Sequence, residues 1–317
     1  MNIGFIKSRK ENEKRVAIVY SDILSIKQKE CLFFEENYFE DFNISDDELR
    51  KIGCNVLKRE EVLKCDIICD PKVGDAEYLN ELHNQTIFGW VHATQNKQVT
   101  DILIKSRLTV YAWEKMFEND VHVFYKNNEI AGEASVLHAL LKYGSISKNL
   151  KAAIIGNGNT SRGAKSTLEK LGIKYCVYTR EDEKKFQDEV CNYDIIINAI
   201  LWDTSRKDHI IYRNDLKKLK NGALIIDISC DHNGAIESSH PTTLNDPIYF
   251  EDGVMHYAVD HTPTLLFKDA SVSISKVIVK YINMLITNSN INDTLKNALI
   301  IEKGKILDKE IIEYQNR

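Results

Sequence analysis

Only four prolines occur in this chain of 317 residues, and no apolar run approaches the roughly 20 residues a bilayer-spanning helix needs. Few prolines beside fourteen glycines argue against long disordered linkers. The start, MNIGFIKSRKENEKRVAIVY, turns charged after a short apolar stretch and has neither the apolar region nor the cleavage site of a signal peptide. No excess of one charge sign stands out either: the net charge of −5 comes from interleaved acids and bases, which speaks against nucleic acid or a membrane surface as a partner. The seven cysteines are scattered and odd in number, which fits a reducing cytoplasm better than a disulfide framework. Cys65 and Cys69 in LKCDIICD lack a second ligand pair and read as part of a buried strand, so no metal site is expected.

What is present is alternation. At 43% hydrophobic the chain is long enough for two cores. In residues 1–130, NIGFI, CDIICD, QTIFGWVHA and LTVYAWE read as strands, and SDDELRKIG and NKQVTDILIKSR as helices. EIAGEASVLHALLKYGSI has the pattern of a connecting helix. From Lys151 the rhythm is strand, helix, strand: KAAIIGNGN, SRGAKSTLEKLG, IKYCVYT, then YDIIINAIL and GALIIDISC. Continuous apolar strands of this kind belong to a parallel sheet covered on both faces. ASVSISKVIVKYINMLIT reads as a long apolar helix, and NDTLKNALIIEKG as a second one.

The stretch AAIIGNGNTSRGAKS carries a glycine turn between strand and helix. Gly156 permits the tight turn, and Gly158 lets the backbone approach a pyrophosphate. Asn159, Thr160 and Ser161 open a helix whose N–H groups and partial positive charge suit an anion. Ser161 stands where the third glycine of the dinucleotide pattern would be, and a glycine follows at Gly163. The next strand ends in CVYTR, placing Thr179 and Arg180 where an NAD-preferring site usually carries an acid for the ribose 2′-hydroxyl. With no acid at that point the pair can receive a 2′-phosphate, with Arg162 as a helper, and NADP(H) is the expected cofactor. The alternative for Arg180 is a solvated turn residue beside Glu181 and Asp182.

IGFIKSRKENEKRVAI, DPKVGD, FGWVHATQ, IDISCDHNGAIESS and HYAVDHTPTLLFKDAS, in that order, resemble successive blocks of the alanine dehydrogenase and saccharopine dehydrogenase superfamily over nearly the whole chain. Within it, the short length, GNGNTSRGA and VDHTPTLLFKDAS look most like the N5-(carboxyethyl)ornithine synthase family, whose members condense pyruvate with the side-chain amine of ornithine and reduce the imine with NADPH. The resemblance implies that Arg15 binds the keto-acid carboxylate, that Lys72 and His92 lie at the reacting carbonyl, and that Asp231 matches an acid near the nicotinamide. Asp260 and His261 match the saccharopine-type blocks and are taken as substrate-binding.

The chemistry asks for the same residue types. A guanidinium holds a planar carboxylate by two parallel hydrogen bonds, which suits Arg15. Carbinolamine formation and loss of water need proton transfer, which Lys72 or His92 can perform once burial or a neighbouring cation brings its pKa towards neutrality. A side-chain amine with a pKa of about 10.4 must also surrender a proton before it attacks. Asp231 or Glu114, in YAWEKM, can steer that cation in. For each residue a plainer role exists: Arg15 in a charged run, His92 in a core, Glu114 at a helix start, Asp231 in a turn.

The expected architecture is α/β with two domains. Residues 1–130, completed by C-terminal helices in 271–317, form an α/β substrate domain; residues 131–270 form a Rossmann-type, doubly wound parallel sheet, with the active-site cleft between them. Expected partners are a 2-oxo acid, an amino acid and further copies of the chain, with neither nucleic acid nor membrane, in the cytoplasm. Rival readings are a saccharopine-type condensation, reductive amination by ammonia as in alanine dehydrogenase, and a non-catalytic NADP(H)-binding redox sensor.

Overall fold

Short runs of branched and aromatic residues become strands here because, flanked by charged turns, they can be buried on both faces of a sheet. In the computed structural model, which describes residues 1–203, 206–230 and 233–317, the chain divides into two units, Met1–Phe124 with Phe267–Arg317, and Tyr125–Leu266. The first begins with β1 (Ile3–Phe5), β2 (Leu32–Glu35), β3 (Asn55–Leu57), β4 (Ile67–Cys69), β5 (Thr86–Gly89) and β6 (Thr109–Ala112), followed by a hairpin of β7 (Phe117–Glu118) and β8 (Val121–His122). β1 to β6 pair in parallel, with β1 between β2 and β4 and β5 between β4 and β6. The register Cys69↔Phe88 therefore brings Asp70–Lys72 beside Gly89–His92 at one sheet end. Local signals support the helices between strands. Ser45 and Glu48 close a capping box on Asp46–Lys51, and the Asn96 side chain accepts from Val99 N–H to start Lys97–Lys105.

The second unit opens with the helix Tyr125–Tyr143 and contains β9 (Lys151–Ile155), β10 (Lys174–Tyr178), β11 (Ile195–Asn198), β12 (Leu224–Asp227), β13 (Ile248–Glu251) and β14 (Val254–Tyr257). The sheet order is β10-β9-β11-β12-β14-β13, parallel except for β13. This is a Rossmann-type sheet whose order reverses between β9 and β11, the point where such sheets bind ligands at their carboxyl ends.

The chain then returns to the first unit through the helix Phe267–Thr287. By length and composition alone, Thr262–Thr287 could cross a membrane. In the fold, Phe267–Thr287 is a core helix: Ile274, Ile278, Tyr281 and Ile282 are fully buried while Lys276 and Lys280 face solvent. Its hydroxyls also do local work. Ser271 Oγ accepts the Val16 N–H at 2.9 Å and Ser275 Oγ the Val19 N–H at 3.0 Å, fixing the extended segment just after Arg15.

NDTLKNALIIEKG is a helix only over Asp293–Ala298. Leu299–Glu302 is β15, antiparallel to β6, and β16 (Lys305–Ile306) pairs with it to complete an eight-stranded sheet. The open edge of β6 offers a ladder of backbone partners, and Ile300 and Ile301 are buried there, so tertiary pairing overrides the helical pattern.

Candidate active site

Arg15 lies beyond β1, Lys72 just beyond β4 and His92 just beyond β5; Lys72 lies near Arg15 and Glu13, and the segment leading to His92 reaches them through Trp90, whose ring lies beside Arg15 and whose carbonyl accepts from Gly74 N–H. Arg15 is buried. Its Nε donates to Glu13 Oε1 at 2.9 Å and its Nη2 to Glu13 Oε2 at 2.6 Å, a forked pair in which the Glu13 side chain is wholly inaccessible. Burial disfavours the charged Glu13, but the Arg15 charge and hydrogen bonds, with Lys72 behind them, outweigh it and hold the carboxyl below its usual range. The Trp90 ring lies 5.7 Å from the guanidinium carbon.

Lys72 Nζ meets Asp75 Oδ2 at 2.8 Å, and Lys10 Nζ reaches the same oxygen at 3.0 Å. Burial pushes the Lys72 ammonium below its ordinary range; Asp75 opposes this, while Lys10 and Arg15 reinforce it. Asp75, despite its own desolvation, is held low by Lys72 and Lys10. The backbone is set from below by Asp70, whose Oδ1 accepts the Lys72 N–H at 2.8 Å and whose Oδ2 accepts the Tyr78 hydroxyl at 2.8 Å. Full burial pushes the Asp70 carboxyl up to about 6 against those two bonds.

His92 is exposed, not a core residue, and sits in the left-handed region with φ +52°. Glu114 holds it there: its Oε1 accepts the His92 N–H at 2.7 Å and its Oε2 the Val91 N–H at 3.2 Å. The Glu114 carboxylate thus fixes the turn that carries His92. The His92 and Lys72 loops are locked together at Gly74, whose N–H donates to Trp90 O at 3.0 Å and whose added Cβ would lie 2.2 Å from Val91 O. Only glycine fits that crossing.

In the second unit, Gly156 has φ +108° and donates its N–H to Tyr178 O at 2.8 Å, joining the loop after β9 to the end of β10. A Cβ at Gly156 would lie 2.8 Å from Ala199 O, whereas one at Gly158 would meet nothing within 4 Å. The loop is thus tight on one side and open on the other. Gly158 caps the helix Asn159–Leu171, whose first N–H groups at Asn159, Thr160 and Ser161 have no helical carbonyl before them. An open glycine at a helix N-terminus is a cradle for a phosphate. Ser161 is fully buried and its Oγ has no hydrogen-bond partner. Close packing of the helix falls instead to Gly163, where a Cβ would lie 1.8 Å from Glu129 O.

Thr179 is less available than its position in the sequence implies. Asp182 Oδ2 accepts both its N–H, at 2.9 Å, and its hydroxyl, at 2.8 Å. Arg180 is solvent-exposed, with Asp203 the nearest carboxylate at 3.9 Å. Arg162 donates to Glu129 at 3.3 Å and to Asn159 Oδ1. Beyond β14, Asp260 Oδ1 meets His261 Nδ1 at 2.6 Å with the imidazole buried, and Thr262 ties the segment to Ser135 at 2.8 Å. Asp231 lies outside the described residues. The turn leading to it is anchored by buried Asp227, which accepts from Asn198 Nδ2 at 2.8 Å, Ser239 Oγ at 2.5 Å and Cys230 N–H at 3.2 Å.

Glu13, Asp70 and Asp75 are not marked by any motif in the sequence. Each stands two or three residues from a singled-out cation, in ENEKR or CDPKVGD, and that spacing was the available signal.

Residues 4–131 match the family model described as alanine dehydrogenase/PNT, N-terminal domain, and residues 145–312 the corresponding C-terminal domain. The chain is 33% identical over 300 residues to the N(5)-(carboxyethyl)ornithine synthase of Clostridium botulinum, covering 89% of this chain and 94% of that one. It is 34% identical over 298 residues to the enzyme of the same name from Lactococcus lactis subsp. lactis, covering 88% and 94%. Among solved structures, an L-alanine dehydrogenase superposes with a TM-score of 0.83 at 18% identity, over 100% of this chain and 99% of that one, a likeness of fold.

Proposed function

Because the chain belongs to the alanine dehydrogenase/PNT family and is an oxidoreductase of it, we propose that it joins pyruvate to the side-chain amine of ornithine and reduces the product imine with NADPH. The observation that carries this reading is the buried Lys72 ammonium, made more acidic by desolvation, beside the forked Arg15–Glu13 pair. Identity of about a third to proteins named N(5)-(carboxyethyl)ornithine synthase supports the choice of substrates.

In this reading Arg15, its plane fixed by Glu13, anchors the pyruvate carboxylate. The incoming amine is protonated at neutral pH and must lose a proton to attack the carbonyl carbon. Lys72, whose neutral form burial favours, accepts it. The carbonyl oxygen then takes up protons and leaves as water, with His92 on its buttressed turn as the partner acid. The result is a protonated C=N bond, its nitrogen keeping one proton of the amine, which becomes a secondary amine when hydride adds to the carbon. Asp231 steers the cation, and Asp260 and His261 contribute to substrate binding.

The glycine loop fits a dinucleotide: Gly158 is open, and the N–H groups of Asn159, Thr160 and Ser161 would receive the pyrophosphate. NADPH, when bound, supplies the hydride. Arg180, exposed at the end of β10, would pair with the 2′-phosphate, while Thr179 contributes its position more than its hydroxyl.

The decisive experiment follows NADPH oxidation and product mass with pyruvate and either ornithine or ammonia. Turnover that needs ornithine and yields a carboxyethyl amino acid is expected. Full turnover with ammonia alone, giving alanine, would replace this reading by that of an alanine dehydrogenase.

A further inference from the structure

The charged side chains around Lys72 form a ladder graded from interior to solvent. Its innermost rung is Glu13–Arg15, with side chains 0% and 4% exposed. The middle rung is Asp75, which receives both Lys72 and Lys10. The outermost rung is Arg9–Glu77, one residue from Lys10 and two from Asp75, joined at 3.0 Å with side chains 62% and 65% exposed. A solvated pair of this kind adds little to stability, so it opens easily. It lies at the outer end of charges that the proposed chemistry uses.

We propose that Arg9 and Glu77 bind the zwitterionic end of the amine substrate, Arg9 receiving its α-carboxylate and Glu77 its α-ammonium, while the side-chain amine reaches the carbonyl beside Lys72. This rests on the reading above and names the part of the site that selects an amino acid. A free α-amino acid carries opposite charges on one carbon. An Arg–Glu pair matches it by exchanging partners: one protein ion pair becomes two protein–ligand pairs with no change of net charge. The guanidinium adds two parallel donors for the carboxylate.

The reach is consistent. Two residues of backbone, Asp75 to Glu77, span at most about 7 Å. The four bonds from the α-carbon of ornithine to its terminal nitrogen, at about 1.5 Å each, extend over roughly 5 Å. Ammonia has no such end to hold.

The test is steady-state kinetics at saturating pyruvate and NADPH with three amines: ornithine, putrescine, which lacks the carboxylate, and 5-aminopentanoate, which lacks the α-ammonium. Arg9→Gln is expected to raise KM about tenfold for ornithine and 5-aminopentanoate and to leave putrescine unchanged. Glu77→Gln is expected to raise KM about tenfold for ornithine and putrescine and to leave 5-aminopentanoate unchanged. KM for pyruvate and NADPH stays put in both, as does Tm, because both side chains are exposed. Equal effects on all three amines, or no effect, would overturn the assignment. If no amine supports turnover with pyruvate, the functional reading fails. Calorimetric titration of ornithine into the enzyme then decides the pair separately, since undiminished affinity in both variants, or absence of binding to the unmodified protein, refutes it.

Discussion

Replacing His92 by glycine should separate folding from catalysis. The residue is exposed, so little packing is lost, and its φ of +52° is one that glycine adopts freely. Left-handed backbone costs a residue with a Cβ roughly 1–2 kcal/mol, and histidine stands near the low end because it enters that region more readily than most. Against this relief, glycine loses about 0.5–1 kcal/mol more conformational entropy on folding. The two nearly cancel, leaving stability within about 1 kcal/mol of the parent, or about 2–4 °C in Tm for a domain of this size. His92→Val should be worse by about 2 kcal/mol or more, because a β-branched side chain at positive φ is strongly disfavoured. Loss of the imidazole should lower kcat by about 10²-fold or more in both variants. Thermal unfolding by circular dichroism and steady-state NADPH oxidation read the two effects. A glycine variant that melts many degrees lower would show that the side chain packs, and one that turns over normally would remove His92 from the chemistry.

Arg15→Lys keeps the charge but loses the fork, and it leaves wholly buried Glu13 with a single-point partner. KM for pyruvate should rise by about tenfold or more while Kd for NADPH, measured by fluorescence titration, is unchanged. Asp70→Asn tests a pH effect. Burial pushes the folded carboxyl up to about 6 from an ordinary value of 3.8. The native state therefore binds more protons than the unfolded state between those values, and Asp70 makes stability fall as pH rises through that window, by about 3 kcal/mol once both forms are ionised. The asparagine variant should be more stable above pH 7 and show a flatter profile from pH 4 to 6 in urea melts; an unchanged slope would refute the assignment. Arg180→Asp should weaken NADPH and spare NADH in competition assays, and equal use of both cofactors by the unmodified protein would remove its basis.

The fold was most legible where one physical demand dominated. The apolar runs in β9, β11 and β12 must be covered on both faces, and their buried residues are consecutive, so the parallel sheet could be read directly. β2 and β3 were hidden because LFFE and NVL are short and stand among charged residues, and only pairing with β1 and with each other makes them strands. Leu299–Glu302 was misread because its neighbours do form a helix, and the edge of β6 that captures it is far away in sequence. Arg15, Lys72 and His92 could be picked out one at a time. What no linear pattern showed was that Glu13, in a charged run that looks solvated, turns inward to meet Arg15, and that Asp75 receives Lys72 from the solvent side. Nor did it show that Thr179 spends its hydroxyl on Asp182.

The buried acids Glu13 and Asp70 bear on why the cations are there at all. A buried ion pair gains Coulomb energy but sacrifices the hydration of both partners, and replacing one by apolar residues is often neutral or stabilising. Arg15–Glu13 is therefore poorly explained as a device for stability. The same holds for Lys72, whose burial works against its own charge, and for Asp70, whose ionisation destabilises the fold above pH 6. Three costly placements at the carboxyl ends of neighbouring strands, with a buttressed turn at His92 beside them, make sense together if the segment must present a fixed guanidinium, a readily neutralised amine and an imidazole to one small anionic substrate. Parallel pairing of β1, β4 and β5 supplies the means. Because each strand points the same way, each releases its following loop at the same end of the sheet, and Asp70–Lys72 come to lie beside Gly89–His92 although nothing in their spacing along the chain requires it.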